Sequence, residues 1–240
     1  MSSIHDATDT LARRLCAEAL GTALLLAAVV GSGIMGDRLA AGNVAIALLA
    51  NTLATAAALI VLILAFGPIS GAHFNPAVTV ADATQGGIRW GEVPGYLAAQ
   101  VLGAFGGVAL AHGMFGHPLF VASRHARTGL SQLLSEFVAT FGLLAVIWSC
   151  SRRRPGLVPF AVGLWIAAAY WFTASTSFAN PVVTIARAAT DTFAGIRPAD
   201  APGFILAQAA GAAAATALFR WLVPSLPQSA DRVIVPREEL

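Results

Sequence analysis

The sequence predicts an all-α membrane protein: six transmembrane helices and two re-entrant half-helices arranged as an inverted repeat. Three observations carry that expectation. The chain is 57% hydrophobic and only 11% charged, against about 25% charged residues in a soluble domain. It holds six apolar runs, each near the roughly 20 residues that cross about 30 Å of hydrocarbon. It also carries the pair Asn-Pro twice, at Asn75-Pro76 and Asn180-Pro181, at equivalent places in two halves that resemble each other.

The first run, near 14–36, follows a polar segment, 1–12, and the pair Arg13-Arg14; it is long enough to remain as a span, and no cleavable leader is evident. The others fall near 43–66, 94–115, 130–150, 157–175 and 202–223. One membrane domain is expected over 13–223, with repeat 1 near 13–115, repeat 2 near 130–223, and a polar tail over 224–240. Two shorter apolar pieces, Asn75 to Ala83 and Asn180 to Ala189, interrupt this series; at about ten residues neither can span. Each is read as a re-entrant half-helix or as a surface-loop helix.

The repeat favours the half-helix. Glu18-Ala19-Leu20-Gly21-Thr22 is similar to Glu136-Phe137-Val138-Ala139-Thr140, and Asn75-Pro76-Ala77-Val78-Thr79 to Asn180-Pro181-Val182-Val183-Thr184. Gln100 and Gly103 match Gln208 and Gly211. Three spans per half force the two copies into opposite orientations, which is an inverted repeat about an axis in the membrane plane. Asn caps free backbone N–H groups and Pro is tolerated at the first helical position, so each pair marks a helix start. Entering from opposite sides, the two starts meet near the midplane. Irregular backbone at that depth requires burial in protein or a water-filled path.

Such a path has a defined field. Each helix start carries roughly +0.5 elementary charge, so cations and hydronium meet a barrier while the Asn75 and Asn180 amides offer hydrogen-bond donors to neutral solutes. Glu18 and Glu136 are intramembrane carboxylates, a type that invites a proton-relay reading; their matched repeat positions instead favour bracing of the neighbouring re-entrant loops. His73 is read as a loop tie through its ring nitrogens, since a lone His builds no metal site. Cys16 and Cys150 lack metal-ligand spacing and are read as small membrane-buried residues. No nucleophile–base pair or phosphate-cradling loop appears, so no enzyme activity and no cofactor is expected. A formal charge of +2 is too small for nucleic-acid binding. The triplet Arg152-Arg153-Arg154 is the densest basic cluster, which places it and both termini in the cytoplasm by the positive-inside rule.

Ser70-Gly71-Ala72-His73-Phe74-Asn75-Pro76-Ala77-Val78-Thr79 resembles the first signature of the aquaporin and aquaglyceroporin family, and Glu18 to Thr22 its first-span motif. The resemblance covers residues 12–223 and implies a homotetramer in the plasma (inner) membrane, with one pore per subunit for small neutral molecules. Two departures stand out in the second signature: Val182 replaces the usual Ala, and Val183 stands where most members have Arg. Carried over by distance from the two Asn residues, the selectivity filter falls on Thr55, Ala168, Ser177 and Val183, with Ala169 as the alternative register on the fifth span. That ring is small and uncharged. It implies a wide opening for glycerol-like polyols and neutral metalloid hydroxides such as arsenous acid, as well as water, and it resembles bacterial metalloid-conducting members that lack the Arg. Arg187, one helical turn further along, is expected to face a neighbouring helix or a vestibule, with Asp191 as its partner. The alternatives are a channel mainly for water and, from another class, an inverted-repeat secondary transporter; Glu18 and Glu136 are the candidate coupling groups that a transporter would need.

Overall fold

In the computed structural model, residues 10–223 are described, and they form eight α-helices and no strand. The long ones are α1 (Leu11–Leu39), α2 (Val44–Ser70), α4 (Val93–Phe115), α5 (Leu130–Arg153), α6 (Val158–Phe172, entered through the 3₁₀ turn Pro155–Leu157) and α8 (Ala201–Leu222). All six are long and apolar enough to cross a membrane. The short ones are α3 (Pro76–Gln85) and α7 (Pro181–Arg187). At about 1.5 Å per residue they rise roughly 15 and 10 Å, half a bilayer or less. The expected polar tail, 224–240, and most of the N-terminal segment lie outside the described residues.

Local chemistry explains the boundaries. Asn43 caps α2 by accepting hydrogen bonds from the Ala45 and Ile46 N–H groups at 3.1 and 3.3 Å. Pro76, Pro94, Pro159, Pro181 and Pro202 stand in first turns, where a missing N–H costs nothing. The apolar side chains are not confined to one face. Leu53, Val61, Leu102, Leu164 and Leu206 are exposed on the outside of the bundle, as expected when the surrounding solvent is lipid rather than water.

The two halves pack alike. α1 lies against α4 and α2, and α5 lies against α8 and α6. Close approach depends on missing side chains: a Cβ at Gly103 would strike the Ala19 carbonyl, and one at the matching Gly211 the Phe137 carbonyl. Small residues at such crossings let helix backbones touch where no hydrophobic drive separates helix from lipid. With six crossings, α1 begins and α8 ends on the same side, here called the terminal side. α3 runs from the centre to that side and α7 from the centre to the far side.

Arg14, Arg89 and Glu92 form a clasp on the terminal side, with Arg14 Nη2 and Arg89 Nη2 each donating to Glu92 Oε1 at 2.6 Å. Arg197 and Asp200 occupy the matching place on the far side, at 2.8 Å. Burial pushes the Glu92 carboxyl up, but hydrogen bonds from Arg14 and Arg89 outweigh it and hold the group below its ordinary 4.5. A depressed folded pKa contributes stability above the unfolded value, lost as pH falls through the folded one. Glu92→Gln should therefore lower stability by about 1–3 kcal/mol at neutral pH. Melting in detergent should show that difference vanish as pH drops below 4.5.

Candidate pore and its constriction

At the centre of the bundle the two half-helix starts are tied to each other. Asn75 Nδ2 donates to the carbonyl of Ala179 at 2.8 Å, and Asn180 Nδ2 donates to the carbonyl of Phe74 at 2.8 Å. Each Asn also caps its own helix. Asn75 Oδ1 accepts from Ala77 N–H at 2.9 Å, and Asn180 Oδ1 from Val182 and Val183 N–H at 3.1 and 3.3 Å. An amide NH2 has two donors, so one N–H of each Asn is left for a solute. Pro76 and Pro181 fix the first turns; Ala77 and Val182 are buried behind them.

The loops leading into these helices are unusual backbone. Ala72, Phe74, Thr176, Ser177 and Ala179 all have φ between +49° and +60°, a region that non-glycine residues rarely enter and that costs of order 1–3 kcal/mol each. Two carboxylates hold them there. Glu18 Oε1 accepts from Ser70 Oγ at 2.7 Å and His73 N–H at 2.9 Å, and Oε2 from Phe74 N–H at 2.8 Å and Gln100 Nε2 at 2.9 Å. Glu136 accepts from the N–H groups of Phe178 and Ala179, both at 2.9 Å, and from Gln208 Nε2 at 2.6 Å. Gln100 donates onward to Thr79 and Gln208 to Thr184, both at 2.9 Å. Both carboxylates are fully buried, and neither touches the cavity. His73 is tied by its ring, with Nδ1 3.0 Å from Thr79 Oγ1 and Nε2 3.6 Å from Asp82 Oδ2.

A cavity of about 70 Å³ runs past the Asn pair, space for several waters. Its walls repeat the inverted symmetry. Val78 and Val183 are twins across the centre, Ala72 and Ser177 likewise, and α2 offers Thr55, Leu59 and Ile63 where α6 offers Val162, Ile166 and Tyr170. Three of the four expected filter positions, Thr55, Ser177 and Val183, line it. The hydroxyls of Thr55 and Ser177 are buried and have no hydrogen-bond partner among the described residues.

Ala168 does not line it. The residue is exposed on the outer side of α6, about 200° around the helix from both Ile166 and Tyr170. Ala169 is fully buried in protein but is not a lining residue either. The α6 side chains that line the cavity are Val162, Ile166 and Tyr170, so its wall is less uniformly small than expected. Between the end of α6 at Phe172 and Asn180 lie seven non-helical residues, three of them at positive φ, and a count of twelve back from Asn180 lands on Ala168, two residues before the cavity-lining Tyr170. The count back from Asn75 to Thr55 crosses fewer non-helical residues and lands on the cavity.

Arg187 differs from its expectation in its partner. Asp191 pairs with Arg124, at 2.8 Å, and not with Arg187. Arg187 is buried, its Nε donates to the Ala194 carbonyl, and its guanidinium carbon stands 3.4 Å from the centre of the Phe178 ring. It lines the cavity on the same helical face as Val183. Sequence reasoning missed Arg127 altogether. Its Nε donates to Gly195 O at 2.9 Å and its Nη1 to Ser175 O at 3.1 Å, so it staples the far-side loops to each other; as one arginine in a polar loop it gives no signal of that role.

Comparison with known proteins supplies independent findings. The family described as major intrinsic protein matches residues 6–177, a match that ends three residues before Asn180. The chain is 56% identical over 218 residues to aquaglyceroporin AqpS of Rhizobium meliloti (strain 1021), covering 90% of this chain and 93% of that one. It is 34% identical over 181 residues to aquaporin NIP1-3 of Oryza sativa subsp. japonica, covering 72% of this chain and 62% of the relative. In three dimensions it is similar to the X-ray structure of the aquaglyceroporin from Plasmodium falciparum, with a TM-score of 0.67 at 21% identity, covering 92% of this chain and all of that one. That last likeness concerns the fold.

Proposed function

Because this chain belongs to the major intrinsic protein family, a family of membrane channels for water and small solutes and not of enzymes, we propose that its cargo extends beyond water to glycerol-like polyols and neutral metalloid hydroxides such as arsenous and boric acids. The observation that carries this reading is Val183. The position after Asn-Pro-Val holds an aliphatic side chain in the cavity wall, beside the unpartnered hydroxyls of Thr55 and Ser177. An apolar flank with a few fixed hydroxyls and two Asn donors matches a molecule that carries hydroxyls on a compact carbon or metalloid centre. Lacking charge, it crosses the field of the half-helix ends with little penalty. A relative that this chain matches at 56% identity over 93% of the relative's length is itself named an aquaglyceroporin, which supports solute conduction.

The channel works as a homotetramer in the inner membrane with both termini in the cytoplasm, so that the terminal side faces inward. The exposed apolar outer faces support the membrane assignment and the Arg152 to Arg154 triplet the orientation. Stopped-flow light scattering on proteoliposomes tests the cargo. Glycerol and boric acid should enter at least several-fold faster than into protein-free vesicles. Acceleration of water alone would assign a water channel.

A further inference from the structure

We infer that Arg187 is the charged selectivity residue of this pore, supplying from one helical turn beyond Val183 the fixed positive charge that the residue after Asn-Pro-Val does not. This rests on the functional reading above and deepens it. Val183 and Arg187 are four residues apart on α7, hence on one face, and both line the cavity with Tyr170, Ser177 and Phe178. The guanidinium is held at that level from two directions: Nε donates to the Ala194 carbonyl, and the guanidinium carbon stands over the Phe178 ring, 3.4 Å from its centre. Loop and helix are also joined there by Ile196 N–H donating to the Arg187 carbonyl at 3.2 Å.

The repeat shows what is special about this end. Asp82 is the twin of Arg187 and His73 the twin of Phe178. In the first half the acidic side chain meets a ring nitrogen, at 3.6 Å. In the second half the ring carries no acceptor, the guanidinium carbon stands over it, and the two terminal NH2 groups have no hydrogen-bond partner among the described residues. Nor does any carboxylate lie within ion-pairing distance of Arg187 among the described residues, whereas Arg124 and Arg197 on the same side are neutralised by Asp191 and Asp200. Arg127 stands over the same Phe178 ring at 5.1 Å, but its Nε and Nη1 are committed to backbone carbonyls. An uncompensated charge in a narrow lumen repels cations, and its free donors can still hydrogen-bond a neutral solute.

The test uses the full chain in proteoliposomes, with proton flux from an entrapped pH dye and glycerol flux from light scattering. In Arg187→Met the ratio of proton to glycerol permeability should rise about tenfold or more, and Arg187→Lys should bring it back to within about threefold of wild type, because the charge is restored without the planar fork. An unchanged ratio in an Arg187→Met protein that conducts glycerol overturns the inference and leaves the functional reading standing. Failure of wild type to conduct glycerol or boric acid overturns both. If Arg187→Met does not fold, Val183→Arg decides the matter. With Arg187 already excluding protons, the added charge should change proton flux by less than about twofold, and a tenfold fall would show that the wild-type barrier was missing.

Discussion

Replacing Glu136 with leucine is expected to eliminate the folded channel. The carboxylate receives the N–H groups of Phe178 and Ala179 and the Gln208 side chain, all in a fully buried setting. A leucine leaves three donors without an acceptor, at about 1–3 kcal/mol each. It also removes the tie that holds Ala179 at φ +49°. The total, roughly 3–9 kcal/mol, is comparable to the whole stability of a typical protein. Glutamine does not rescue the site, because its NH2 group brings two donors to a place already filled with donors. Thermal melting and size-exclusion profiles in detergent should show neither variant as a stable species. A Glu136→Gln protein that folds normally and changes only the proton dependence of transport would instead make the carboxylate a coupling group of a transporter.

Val183→Arg is the second large effect. The substitution places a guanidinium between Thr55, Ser177 and Tyr170 in a cavity of only about 70 Å³, with Arg187 one turn away. A solute the size of glycerol then loses both cross-section and the apolar flank. We expect its flux, and that of arsenous or boric acid, to fall at least tenfold, which corresponds to about 1.4 kcal/mol of added barrier. Water needs less width and should slow by only about twofold to threefold. Equal losses for every solute, or none, would remove Val183 from the determinants of selectivity.

Much of this site was readable in the amino-acid order, for physical reasons. Asn-Pro before an apolar decamer fixes a capped helix start whatever surrounds it, and the paired copies imposed the inverted arrangement. Glu18 and Glu136 were legible because an unpaired carboxylate in an apolar span needs several donors, and re-entrant loops are where free N–H groups occur. Helix phase on α6 was not legible. Which of Ala168, Ala169 and Tyr170 meets the lumen depends on how tightly residues 173–180 turn, and positive φ at Thr176, Ser177 and Ala179 leaves no mark in residue types that are not glycine. The partner of Asp191 was likewise hidden. The i,i+4 spacing to Arg187 suggests a helical pair, but α7 ends at Arg187, so the spacing loses its meaning just where it would be used. Arg124, from a loop distant in sequence, takes the carboxylate.

The central claim is passive conduction of uncharged solute along a continuous path between the two Asn residues. Its most direct test is the temperature and concentration dependence of glycerol flux through wild-type protein in proteoliposomes. A pore predicts flux linear in the gradient, a low activation energy close to that of diffusion in water, and no change when a proton or sodium gradient is imposed. Saturation at millimolar glycerol, a steep temperature dependence and stimulation by either gradient would contradict it and point to alternating access.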